Sequence, residues 1–227
     1  LRDKFARVGV GTTPKGLAFI ENPNCGAAIW KRQPLKSFQA WIDAIEPDNL
    51  PTARVVLQPS VAKNAIINLA ESSGLPDCRE RTILAEDIAA LSNMFASIMR
   101  TSYLKLGLVA VTTNTCLNFQ IDQLKARLIC TYRGCGLQYE ISENDNKLTN
   151  IYSVPTGSPI IIKGTLWPES PNLEISYQSP PFESKGETRF VITLDLLKAG
   201  KSIRSVIHFQ PEQTLTVNSL PGKLVQE

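Results

Sequence analysis

Histidine is almost missing from this chain: His208 is the only one in 227 residues. Zinc, copper and non-haem iron sites in enzymes usually draw on two or three imidazoles. One histidine excludes such sets within a single chain. It also confines any Ser-His or Cys-His nucleophile pair to the neighbourhood of His208. That residue lies in the apolar run Ile207-His208-Phe209, where a core or surface imidazole is the simpler reading than a catalyst. Cys-x-x-Cys pairs are absent. The five cysteines, Cys25, Cys78, Cys116, Cys130 and Cys135, are odd in number. Free thiols in a reducing compartment, hence the cytoplasm, account for them most simply.

Long apolar runs are missing too. None approaches the ~20 residues of a membrane span. Leu1 to Val8 is charged and lacks the apolar stretch and small-residue cleavage site of a leader. Strong charge of one sign is absent: Lys and Arg number 24, Asp and Glu 21, giving a net charge of +3 and a pI near 8.6. The basic residues are spread along the chain, so no nucleic-acid stripe is expected. No Gly-x-Ser-x-Gly elbow and no His-Glu-x-x-His helix occurs. Gly9-Val10-Gly11-Thr12-Thr13-Pro14-Lys15-Gly16 is not a phosphate loop, because that motif needs Gly before its Lys and a hydroxyl residue after it.

What is present is an ordinary globular composition, 43% hydrophobic and 20% charged, long enough to bury a core without staples. The first hundred residues mix helices with a few strands. Leu17 to Ile20, Ala27 to Lys31 and Ala53 to Leu57 are expected strands. Leu35, Phe38, Trp41, Ile42 and Ile45 mark one helical face. Val61, Ala65, Ile66 and Leu69 mark a second, opened by Pro59. Leu84, Ile88, Leu91, Phe95 and Ile98 predict a long amphipathic helix over about 78–99.

The texture then changes. Tyr103 to Thr113, Arg127 to Tyr132, Pro159 to Lys163, Glu174 to Tyr177 and Arg189 to Leu194 are short and alternating or β-branched. Turn residues separate them. That pattern argues a sandwich or barrel. The expected organisation is a helical and mixed segment over 1–101 packed on a β-barrel over 102–227.

The stretch from Cys116 to Tyr139 is the informative one. It contains Phe119-Gln120-Ile121-Asp122, then a strand reaching Cys130-Thr131-Tyr132-Arg133-Gly134. With Ala28-Ile29-Trp30-Lys31-Arg32, Lys163-Gly164, Trp167-Pro168 and Ser179-Pro180-Pro181, it resembles a bacterial family catalogued as domain of unknown function 1826. The resemblance covers roughly 17–196. That family is itself similar to the double-stranded β-helix oxygenases, so it implies an α+β chain whose barrel is an antiparallel jelly roll. It also implies Fe(II), held by His-x-Asp and a distal His, and 2-oxoglutarate, held by an Arg or Lys beyond.

On that resemblance Gln120 and Asp122 stand at the His-x-Asp positions and Tyr177 at the distal His. Both imidazoles are therefore replaced, and only Asp122 keeps its ligand type. A phenol binds metal well only after losing a proton with an ordinary pKa near 10, so no tight metal is expected at Gln120, Asp122 and Tyr177. Cys116, four residues before Gln120, is a further possible thiolate but reads more simply as a small buried hydrophobe.

The leading expectation is a degenerate member that binds a small, carboxylate-bearing molecule in its barrel. Gln120, Arg127 and Arg189 are its ligand-binding residues, with an Arg pairing the carboxylate bidentately. An Asp122–Arg pair that merely fixes the barrel is the alternative. If catalysis survives, it is dioxygenase-like oxidation, or proton transfer with Asp122 as general base and Tyr177 as general acid. An interaction scaffold docking a partner through its helices is a third reading. Trp30 and Trp167 are expected to pack, and Arg133 to support a turn.

Overall fold

A computed structural model describes residues 7–114, 118–141, 150–168, 175–182 and 186–197. Ten strands and three α-helices run in the order β1 (Val8–Gly11), β2 (Ala27–Trp30), α1 (Lys36–Ala44), β3 (Ala53–Leu57), α2 (Ala62–Ser72), α3 (Arg79–Met99), β4 (Leu104–Val111), β5 (Ala126–Arg133), β6 (Gln138–Ile141), β7 (Ile151–Ser153), β8 (Ile160–Lys163), β9 (Ile175–Gln178) and β10 (Arg189–Leu196). Seven strands form one sheet in the order β1-β2-β8-β5-β10-β4-β3, and three form another, β7-β6-β9. Every strand pair is antiparallel except β1 with β2. The chain is thus a mixed α+β fold, with β1, β2 and β3 of the first hundred residues completing the sheet of the second half.

Strand alternation divides the interior into two layers. Leu128, Cys130 and Tyr132 of β5, Phe190, Ile192 and Leu194 of β10, and Leu104, Leu106 and Leu108 of β4 face the helices. Leu84, Ile88, Leu91 and Phe95 of α3 meet them there, all fully buried. Each such side chain contributes about 1.5–3 kcal/mol by leaving water. By length and composition α3 passes as a membrane span, but this stripe makes it the central helix of the core. Cys78 caps it, its Sγ accepting from Arg81 N.

The opposite face of the large sheet carries Ala27, Ile29, Ile129, Ile160 and Ile162. These pack on Leu137, Tyr139, Val154, Ile175 and Tyr177 of the smaller sheet side. The two sheets therefore face one another over a second, thinner core. Among the described residues no strand pairs from one sheet to the other, so the expected barrel is a two-sheet sandwich that does not close.

One expected strand is wrong. Pro14–Glu21 is a 3₁₀-helix, not a strand at Leu17 to Ile20. Pro14 fixes its first turn, and Leu17 and Ile20 are buried at a spacing of three rather than two. Gly11 and Gly16 let the helix lie against β1, since a Cβ on Gly16 would come 2.8 Å from the Gly11 Cα. The short strands β1, β6 and β7 were not expected. Glu174, Cys116 and His208 lie outside the described residues.

The layers are tied by a network on the helix side of β5. Arg32 donates Nη1 and Nη2 to the two oxygens of Asp87 on α3, each at 2.6 Å, and Nε to Gly157 O at 2.6 Å. The Tyr132 hydroxyl donates to the same carboxylate at 2.6 Å. Burial and the Asp87 charge push the Tyr132 phenol well above its ordinary pKa. Replacing Asp87 with Ala leaves a cation and a buried hydroxyl without their acceptor. The expected loss is about 2–3 kcal/mol, measured as a lower urea midpoint with an unchanged slope.

Candidate functional site

The candidate residues converge where the two sheets face each other. Gln120 and Tyr177 form an antiparallel bridge, Gln120 N donating to Tyr177 O at 2.9 Å and Tyr177 N to Gln120 O at 3.0 Å. This bridge brings the segment before β5 onto β9. Asp122 follows two residues later, in a turn pinned by the turn at 164–166: Thr165 N donates to Asp122 O at 3.0 Å and Leu166 N to Leu124 O at 3.1 Å. Gly164 is required for that approach. A Cβ there would stand 2.2 Å from Leu124 O and 2.6 Å from Asp122 O.

Arg127 is the hub. It stands directly opposite Asp195 in the β5–β10 ladder and grips it with two bonds, Nε to Oδ1 at 2.6 Å and Nη2 to Oδ2 at 2.9 Å. Its Nη1 donates to Asp122 Oδ2 at 2.8 Å and approaches the Tyr177 hydroxyl at 3.1 Å. The Tyr177 hydroxyl donates to the same Asp122 oxygen. Burial would lower the Arg127 pKa, but the Asp195 hydrogen bond and the two carboxylate charges outweigh it and raise it. Burial also pushes Tyr177 up, helped by the Asp122 hydrogen bond, to about 12 against the opposing pull of Arg127. Tyr177 is therefore a neutral donor at physiological pH.

A cavity of about 140 Å³ opens beside this cluster. Its lining includes Gln120, Thr131, Ser179, Arg189 and Thr193. Arg189 is 3% exposed. Its Nε donates to Cys135 O at 2.9 Å and its Nη2 to Pro180 O at 2.7 Å, while its guanidinium stacks 4.8 Å from the Phe182 ring centre. Burial lowers its pKa, yet an arginine stays charged in any accessible pH range. A larger hollow of about 450 Å³, near Gln58, Asn93 and Arg100, involves none of these residues.

All five sequence-derived residues thus meet in one place. Asp122, Tyr177 and Arg127 are hydrogen-bonded together, and Gln120 and Arg189 line the cavity beside them. Gln120 is exposed at the rim and joins Tyr177 through its backbone. Asp195, Thr131, Thr193 and Ser179 were not anticipated. Strand parity carries the signal for three of them: Arg127, Ile129 and Thr131 share one face of β5, and Arg189, Val191, Thr193 and Asp195 share one face of β10. Elsewhere, Arg133 Nη1 donates to Ile45 O at the end of α1. Trp30 stacks on Arg32, and Trp167 lies between Lys125 and Lys163.

A model of the family described as "Protein of unknown function (DUF1826)" matches residues 11–195. The chain belongs to that family. No curated protein matches the chain. Solved structures that resemble this family member include two dioxygenases and an epoxidase. The dioxygenase for auxin oxidation from rice matches over 84% of this chain and 82% of its own, at 10% identity and a TM-score of 0.46. Dioxygenase for auxin oxidation 1 from Arabidopsis thaliana, solved with 2-oxoglutarate, matches over 67% and 65%, at 12% identity and a TM-score of 0.40. Hydroxypropylphosphonic acid epoxidase from S. wedmorenis matches over 41% and 43%, at 13% identity and a TM-score of 0.27. The family member spans less than half the length of that epoxidase.

Fe(II) and 2-oxoglutarate do not fit the residues present. Asp122 Oδ2 already accepts from Tyr177 and Arg127. Tyr177, with its pKa near 12, is no phenolate. Gln120 offers a neutral amide. A divalent ion at Asp122 would also stand against the Arg127 cation. Without an iron to chelate, 2-oxoglutarate would retain only a carboxylate partner such as Arg189.

The Tyr177 proton gives a measurable signature. A folded-state pKa raised from 10 to about 12 makes the folded chain hold its proton more tightly than the unfolded one. The resulting stability is complete below pH ~10 and lost as pH rises towards ~12. Its size is at most roughly 3 kcal/mol. In a phenolate absorbance titration, Tyr177→Phe should lose one late-titrating tyrosine, and its stability should fall less steeply between those pH values than the parent's.

Proposed function

We propose that this family member is an oxygenase-like jelly-roll protein that binds a small carboxylate-bearing molecule between its two sheets, without a metal ion. The observation that carries this reading is the cavity of about 140 Å³ with the buried Arg189 guanidinium in its wall. Arg189 is held in place by two backbone carbonyls before any ligand arrives, so little ordering is lost on binding. A carboxylate entering the cavity meets that cation and the Thr131, Thr193 and Ser179 hydroxyls. Arg127 contributes less, because its charge is already matched by Asp122 and Asp195.

A cavity of about 140 Å³ suits a small molecule. Tyr177 lines the cavity and is hydrogen-bonded to Asp122. On this reading the pair positions the ligand, and proton transfer through Asp122 is the form any surviving catalysis would take. The partner is a small molecule rather than a nucleic acid or a membrane, and the site of action is cytoplasmic. The interaction-scaffold reading draws no support from the helices: the large exposed apolar side chains among the described residues are Val10, Phe19, Leu35, Ile151, Tyr152 and Leu166, none within α1, α2 or α3.

The test is a thermal-shift and calorimetric series with acetate, malonate and 2-oxoglutarate in chelator-treated buffer. At least one should raise the Tm, and Arg189→Met should weaken its binding at least tenfold. Thr193→Val, which keeps the shape and removes a hydroxyl, should weaken it less. Absence of any shift, or a shift that survives both substitutions, would remove the proposal.

A further inference from the structure

The misfit between this donor set and a metal ion has a positive counterpart. We propose that Arg127 is the site's own fixed cation, supplying at Asp122 and Asp195 the charge that a divalent ion would otherwise supply. The guanidinium lies between the two carboxylates and bonds both, at 2.6, 2.8 and 2.9 Å. The carboxylate side chains are 18% and 14% exposed, and that of Arg127 is 23% exposed. Two anions so close together and so poorly solvated require a positive partner. The ladder fixes that partner's place, because Arg127 and Asp195 are cross-strand neighbours and cannot separate without unzipping β5 from β10.

The Tyr177 hydroxyl completes the enclosure. It donates to the same Asp122 oxygen and lies 3.1 Å from Arg127 Nη1. The Asp122 oxygen that faces the cluster therefore has two donors already. A metal ion binding through that oxygen would have to displace the Arg127 guanidinium from Asp122, leaving it only Asp195 as a charge partner. The chain should accordingly exclude divalent ions here while keeping the geometry that they would impose. This inference concerns the cluster alone and does not depend on what occupies the neighbouring cavity.

The experiment compares the full chain with Arg127→Met, Arg127→Lys and the double variant Arg127→Met with Asp122→Asn. Each is titrated with Mn(II), followed by its spin-resonance signal and by Tm. The parent and its Asp122→Asn variant, titrated alongside, should show the same weak Mn(II) uptake. Arg127→Met should fall by roughly 5–10 °C, and Mn(II) should recover part of that loss, with binding at least tenfold tighter than to the parent. The double variant should lose the Mn(II) response, and Arg127→Lys, which keeps the charge, should have none. Two results would overturn the proposal: one equivalent of Mn(II) bound by the parent through Asp122, or an Arg127→Met variant whose stability and Mn(II) binding match the parent's. If Arg127→Met cannot be purified folded, Arg127→Lys decides. Mn(II) uptake by that variant would show that charge alone is not what Arg127 supplies, and the absence of uptake supports the fixed-cation role. A carboxylate failing to bind at Arg189 leaves all these outcomes unchanged.

Discussion

The guanidinium of Arg127 occupies a place that the sheets leave poor in water, and it is tolerable there only because Asp195 faces it across the ladder and Asp122 reaches it from the preceding turn. Several other features follow from satisfying that one charge. The 122–125 turn must approach close enough to deliver its carboxylate, which is why Gly164 has no side chain. Tyr177 must stay protonated to share the same oxygen, and burial raises its pKa accordingly. The smaller sheet is held over the larger at this end by polar bonds, and elsewhere by the apolar contacts of Ile129, Ile160, Ile162, Tyr139 and Ile175.

The two faces of β5 show how a single strand serves two environments. Its even-numbered residues Leu128, Cys130 and Tyr132 belong to the helix-backed core, and its odd-numbered residues Arg127, Ile129 and Thr131 look towards the small sheet. Burial of Cys130 beneath α3 pushes its thiol up to about 12, so it behaves as a small apolar side chain. The other face is the polar one, where Thr131 and Arg127 border the cavity.

Much of this was legible in the amino-acid order, for stated reasons. The spacing of Leu84, Ile88, Leu91 and Phe95 could only serve a helix with one buried face. The alternations in Leu104 to Val111, Ala126 to Arg133 and Arg189 to Leu196 follow the period of two. The convergence of Gln120, Asp122, Tyr177 and Arg189 was visible through family resemblance. What stayed hidden needed three dimensions. Leu17 to Ile20 has the composition of a strand, and the close approach of Gly11 and Gly16, beside the Pro14 start, shows why it coils. Strands such as Ile151–Ser153, exposed throughout, carry no apolar pattern to read. Asp195 looked like the end of a strand until its pairing with Arg127 gave it a purpose.

Strand β5 also bears the Tyr132 end of the Arg32–Asp87 network on the face opposite Arg127. Sliding this strand by one residue along β10 would turn both faces inside out. The aromatic ring would be thrust among the cavity's hydroxyls, and the cation would be driven into a wall of leucines. Each network on its own penalises that misalignment, and the two act together. The two networks therefore favour the observed pairing of Arg127 with Asp195 over its one-residue slip.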